Sequence, residues 1–152
     1  MSEDEIKRVG RFTPESGSMA RRRWDSLEDT ARQVVGETAR AMAFDREEYA
    51  ERIDASVERA AQDVLFASEL AVSVGSRAVF QEWEAAFSGP VHTAGSPDVG
   101  NVAWHAFDGE AVAATFENER AAAVATLRRQ AFGRLYRDRL YEATATGEAA
   151  ER

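Results

Sequence analysis

No cysteine occurs in the chain, and there are only one lysine, two histidines and three prolines. The missing cysteine excludes a disulfide framework, a thiol nucleophile, a thiolate zinc site and an iron–sulfur cluster. Long hydrophobic runs are absent too. Nothing approaches the ~20 apolar residues of a membrane span, and Met1 to Arg11 is polar and charged with no apolar run behind it. The expectation is a cytoplasmic protein without membrane attachment. Catalytic signatures are equally scarce: no Gly-x-Ser-x-Gly elbow occurs, and Gly75-Ser76 has no glycine-rich loop with lysine around it, so Ser76 reads as a plain helix cap.

What remains is a chain of 152 residues with formal net charge −8, 44% hydrophobic and 30% charged, which suits one soluble domain able to bury its own core. Lys7 stands alone against eighteen arginines, and alanine occurs twenty-nine times. GC-rich coding supplies Ala and Arg, while an acidic, lysine-poor surface suits a salt-rich cytoplasm, where carboxylates hold water and salt screens their repulsion. The composition points first to a salt-loving archaeon and second to an actinobacterium. So negative a chain repels nucleic acid and anionic membrane unless a local basic patch overrides the sum.

Residues 1–12 and 143–152 lack apolar periodicity and read as flexible tails around a single α+β domain at 13–142. Thr13 before Pro14 marks a helix start, and Trp24, Leu27, Ala31, Val34, Thr38 and Met42 recur at helical spacing behind it. Gly17 and Asp25-Ser26 are weak helix formers and allow a separate short turn at its beginning. Asp45 and Glu48 form a capping box, with Phe44 and Tyr49 as a hydrophobic staple. The helix they open runs to about Leu70 and presents Tyr49, Ile53, Val57, Ala60 and Val64 to its partner. The two helices should fold back on each other as an antiparallel hairpin.

Beyond Leu70 the period changes. Ala71 to Val74 alternates as a strand, and Val79, Phe80, Trp83 and Phe87 share one face of a short helix stopped by Gly89-Pro90. Val91 to Ala94 reads as a further strand. Two β-rich runs then flank Asp108-Gly109, the dipeptide of a type I′ turn, which sets His105 opposite Val112 and Trp104 opposite Ala113. Asn118 caps a last helix ending near Glu142. The expected fold is α+β: a helical hairpin plus a small, mainly antiparallel sheet covered by a long C-terminal helix.

Three segments, Ala41-Met42-Ala43-Phe44-Asp45-Arg46-Glu47-Glu48-Tyr49, Asn101-Val102-Ala103-Trp104-His105-Ala106 and Leu127 to Asp138, resemble those of a small haloarchaeal family of unknown function. The resemblance extends from about Phe12 to Leu140. It implies a salt-loving source and carries no activity or site residue with it.

Candidate sites come from the residues alone. His92 and His105 would share a metal with Asp98 or Asp108 only if their strands paired; otherwise His105 is a half-buried sheet residue and His92 lies at a strand edge. Glu47, Glu51, Asp54 and Glu58 fall on one helical face and read as a solvated face rather than a cation site. No cofactor is expected. The last helix is the anomaly, because Arg128, Arg129, Arg134, Arg137 and Arg139 make it basic in an acidic chain. On a regular helix these arginines surround the axis, and they read first as ion partners of the acidic 45–69 segment. Its apolar residues form two seams about 100° apart: Val124, Leu127, Ala131 and Leu135 to cover the sheet, and Phe132, Tyr136 and Leu140 to meet the helical hairpin or a second copy. The first functional reading is a non-enzymatic interaction or accessory module whose partner is another protein or a second copy. A nucleic-acid-binding module is the alternative, and a small enzyme with a site near His105 the third.

Overall fold

The computed structural model describes residues 5–43 and 45–146. Strand β1 (Lys7–Val9) opens the chain, followed by helices α1 (Gly17–Ser26), α2 (Glu28–Ala41), α3 (Arg46–Arg52) and α4 (Ala55–Glu69). Then come β2 (Val72–Ser76), α5 (Arg77–Ala86), β3 (Val91–Ala94), β4 (Asn101–Phe107) and β5 (Glu110–Phe116). Helix α6 (Arg120–Ala131) passes through a π-helical segment, Phe132–Tyr136, into α7 (Arg137–Thr146). The architecture is α+β, with the expected helical hairpin and C-terminal helix. The C-terminal tail read at 143–152 is helical as far as Thr146, and 147–152 lie outside the described residues.

Each long helix of the hairpin breaks once, the first just after the weak helix formers Asp25-Ser26 and the second where the sequence reading kept it whole. The first starts at Ser16, whose side chain accepts the Met19 amide, rather than at Thr13, and it turns at Leu27. The second stops at Ile53, and Asp54 restarts it by accepting the amides of Ser56 and Val57. The capping box of Asp45 and Glu48 is present, while the staple partner Phe44 lies outside the described residues. Trp24, Leu27 and Ala31 are buried as expected, but further along the hairpin Val35, Ala39, Gln62 and Phe66 face inward, whereas Val34, Met42 and Val64 are exposed. Helices α2 and α4 pack against each other. Tertiary contact selects among neighbouring apolar positions that periodicity alone cannot separate.

The sheet has the order β1-β2-β4-β5-β3 and is mixed, because the edge strand β3 runs parallel to β5. The β4–β5 hairpin has the expected register, His105 opposite Val112 and Trp104 opposite Ala113. Its turn has positive φ at both Asp108 (55°) and Gly109 (81°), as a type I′ turn demands.

Strand β1 corrects the reading of a tail over residues 5–12, and 1–4 lie outside the described residues. Lys7, Arg8 and Val9 pair antiparallel with Val74, Ser73 and Val72, and Phe12 bridges Leu70. An edge strand needs only backbone partners, so its polar side chains gave no β signal. Arg128 secures this edge from the far end of the sequence, donating Nε–H to the Leu70 carbonyl (2.9 Å) and Nη2–H to that of Val9 (3.2 Å). Gly10 lies under that guanidinium at φ +101°, where a Cβ would come within 2.6 Å of Arg128 Nη2 and 2.7 Å of Leu70 O. Only glycine fits both the backbone conformation and the space.

The two faces of the sheet are covered unequally. On one, α5 seats Val79 and Phe80 on Val102, Trp104 and Ala113, and Trp83 lies between Phe87 and Trp104 with centroids 4.7 and 5.6 Å away. The larger core lies on the other face, where α6 and α4 meet around Phe66. Phe66 touches Phe132 and Tyr136 edge-on at 5.8 and 5.2 Å, and Tyr136 stacks on Phe107 at 4.4 Å. Each such fully buried side chain contributes ~1.5–3 kcal/mol.

Candidate functional site

His105 is 3% exposed and belongs to the core. Its Nδ1 lies 2.7 Å from the Ala71 carbonyl, which only accepts, so Nδ1 carries the proton. Nε2 is then the acceptor for the Tyr136 hydroxyl at 2.7 Å. Burial holds the imidazole below the ordinary histidine range against the opposing pull of the Ala71 bond, and burial pushes the Tyr136 phenol up. A neutral histidine with both nitrogens engaged has no free position for catalysis. His92 and His105 both pair with Val112, from opposite sides of β5, so two strand spacings of ~4.8 Å each separate their backbones. His92 turns to Glu110 instead, Nε2 to Oε2 at 2.6 Å. Asp108 pairs with Arg139, and the two histidines share no ligand set.

The carboxylate face on the second helix is divided by the break at Ile53, and Asp54 is committed to capping α4. Hydrogen bonds from the Ser56 hydroxyl and the Val57 amide hold its carboxyl below the usual range. Among the described residues no group of three or more metal-ligating side chains converges.

The basic helix departs most from the sequence reading. A π-helical segment accommodates an extra residue per turn, which rolls everything after Ala131 back around the axis. The two apolar seams, ~100° apart on a regular helix, thereby converge on one core. Phe132, Tyr136 and Leu140 are 3%, 1% and 2% exposed, so these interaction candidates are interior residues covered by the hairpin. Gly133 was the one signal in the sequence, since an isolated glycine inside a helical pattern usually has a packing or functional reason.

Among the described residues, the arginines of this helix form no ion pair with the acidic 45–69 segment. Arg139 binds Asp108 and lies over the Phe107 ring, while Arg128 is committed to backbone carbonyls. The acids at 58 and 69 are met by arginines of α1 and α2, through Arg23 with Glu69 and Arg32 with Glu58. Asp63 accepts from the Trp24 indole at 3.0 Å and from the Tyr141 hydroxyl. Burial first, then Asp63, pushes the Tyr141 phenol up to about 12. Among the described residues, Arg129, Arg134 and Arg137 have no carboxylate partner: Arg129 reaches only Thr126 Oγ1 (3.3 Å), and Arg137 lies over the Phe132 ring.

These three unpaired cations border two concavities. Between α4 and α6 runs an apolar groove of about 530 Å³, lined by Ala60, Val64, Ala67, Ala125 and Phe132, with Arg129 and Arg137 beside them. Val64, 66% exposed, is its most prominent apolar side chain. On the other side of the same helix a polar cleft of about 600 Å³ separates β3 from the π-helical segment.

A family model matches the chain over residues 11–137. The chain belongs to DUF5809, a family of unknown function. No curated protein and no solved structure matches it. Within this DUF5809 chain the matched span contains every residue that lines the apolar groove, while β1, Asp138 and Arg139 fall outside it. No helix among the described residues is long and apolar enough to cross a membrane.

Proposed function

We propose that this DUF5809 chain is a protein-interaction module that receives an acidic amphipathic helix of another protein in the groove between α4 and α6. The carrying observation is that Arg129 and Arg137 flank an apolar lining in a chain of net charge −8 and have no carboxylate partner among the described residues. An exposed Val64 beside Ala60 and Ala125 offers a narrow apolar seat for residues spaced three and four apart. Two guanidiniums beside it select carboxylates, by bidentate hydrogen bonding as well as by charge. In a salt-rich cytoplasm the apolar contact persists while the charges mainly set orientation and partner choice. Asp63 also lines the groove, held by Trp24 and Tyr141, but three arginines, Arg128, Arg129 and Arg137, outnumber it there.

The test uses a designed helical peptide with leucines at i, i+3, i+4 and i+7 and glutamates elsewhere. Wild-type protein should bind it, Val64→Asp and Arg129→Glu should each weaken binding at least tenfold, and a lysine version of the peptide should not bind. Failure of the wild type to bind the acidic peptide overturns the reading. A concentration-dependent dimer that Val64→Asp dissolves would make a second copy the occupant. Salt-sensitive RNA or DNA binding lost in Arg129→Glu with Arg137→Glu would replace it with the nucleic-acid reading.

A further inference from the structure

The polar cleft on the opposite side of α6, which shares Arg137 with the apolar groove, carries a further inference. One wall is β3, with His92, and the other is the C-terminal end of α6 and the residues after it, with Gln130, Arg134, Arg137 and Asp138. The basic groups thus come from two elements far apart in sequence and face a common space of about 600 Å³. Arg134 and Arg137 have no carboxylate partner among the described residues, whereas His92 is oriented by Glu110 at 2.6 Å, so its Nε2 carries the proton and Nδ1 is the ring's remaining polar atom.

Gly133 is the second observation. It sits in the π-helical segment and lines the cleft. Its φ is not in the left-handed region, and a Cβ there would meet only Arg137 Nη1, at an ordinary 3.8 Å. Neither backbone conformation nor packing therefore calls for glycine at a position where glycine weakens a helix. What the missing side chain does leave is an open wall between Arg134 and Arg137. π-helical segments recur at functional sites for the same reason, because the bulge re-aims the side chains that follow it.

We propose that this cleft binds a phosphomonoester of a hydroxyl-rich small molecule, such as a sugar phosphate. The guanidiniums of Arg134 and Arg137 take the phosphate dianion, for which planar, always-charged donors are suited. Asp138 and Gln130 at the same cleft accept hydrogen bonds from hydroxyls, which a bare phosphate lacks. That pairing of anion donors with a carboxylate favours an ester over inorganic phosphate and disfavours a polyanion such as nucleic acid.

Titration of the full chain followed by amide NMR tests this, with ribose 5-phosphate, ribose and inorganic phosphate as probes at low and at high salt. Ribose 5-phosphate should shift resonances of β3 and of residues 130–138 and bind at least tenfold tighter than phosphate, with ribose silent. Arg134→Gln should weaken binding at least tenfold. Gly133→Leu should do the same while leaving the melting temperature unchanged or raised, an outcome that a purely structural glycine would not give. Val64→Asp should leave sugar phosphate binding intact and Arg134→Gln should leave acidic-peptide binding intact, since Val64 lines only the groove and Arg134 only the cleft, whereas Arg137 borders both. Absence of any shift with ribose 5-phosphate, or equal weak binding by wild type and Arg134→Gln at low salt only, overturns the proposal.

Discussion

At the scale of single residues, the pair His105 and Tyr136 joins the sheet to the C-terminal helix through hydrogen bonds of 2.7 Å at each imidazole nitrogen. Tyr136→Phe keeps the ring contacts with Phe66 and Phe107 but strands the Nε2 acceptor in the core, so it should destabilise by ~1–3 kcal/mol in urea unfolding. The same pair predicts a pH dependence. Burial lowers the folded-state pKa of His105, so its contribution is complete above the unfolded value of ~6.5 and declines as pH falls through and below it, where the unfolded chain takes up a proton that the folded chain refuses. Urea midpoints measured from neutral pH to about one unit below that value should show the decline, and His105→Gln should flatten it. That variant leaves His92 in place, so a slope that persists in it would assign the effect elsewhere.

At the scale of elements, β1 depends on a helix more than a hundred residues away in sequence. Arg128→Met keeps much of the side-chain bulk but removes both bonds to the carbonyls of Leu70 and Val9. The expected cost is ~1–3 kcal/mol, together with faster amide hydrogen exchange confined to β1 and its neighbours on β2. Gly10→Ala should act on the same edge through strain, since φ +101° and an Arg128 contact at 2.6 Å both oppose a Cβ. Uniform exchange in the two variants and in wild type would show that the strand holds by its ladder alone. The π-helical segment is the other decisive element. Tyr136 and Leu140 turn inward while Arg134 and Arg137 stay at the surface, Arg134 at the polar cleft and Arg137 at both concavities.

At the scale of the molecule, the net charge of −8 implies self-repulsion that reaches ~30 Å at 0.01 M salt and is largely screened at molar salt. Thermal stability followed by circular dichroism should therefore rise with KCl, and the gain should be steepest at the low end. An equally cooperative melt at low and multimolar KCl would detach the acidic composition from salt adaptation and leave coding bias as its origin. A local pair such as Arg32–Glu28 is an exposed i,i+4 contact of ~0.3–0.5 kcal/mol, itself weakened by salt.

The sequence by itself determined the features encoded in neighbouring residues. The Asp108-Gly109 turn fixed the register that sets His105 beside Val112, and Asp45 and Glu48 fixed a helix start. In each of these, a turn or cap interaction between near neighbours dictates the backbone. The burial of Phe132, Tyr136 and Leu140 was legible as a need for cover, since large apolar side chains are expelled from water whatever the fold. Tertiary structure decided the rest. Polar β1 became a strand because the β2 edge and Arg128 were there to receive it. One extra residue in the π-helical turn redirected the arginines, and a regular-helix projection cannot show that. Which arginines stayed without carboxylates depended on α1 and α2 reaching Glu69 and Glu58 first, and on Trp24 and Tyr141 engaging Asp63. Charges separated along a chain acquire partners only when packing brings them within a few ångströms, so the candidate surface existed only once the helices were in place.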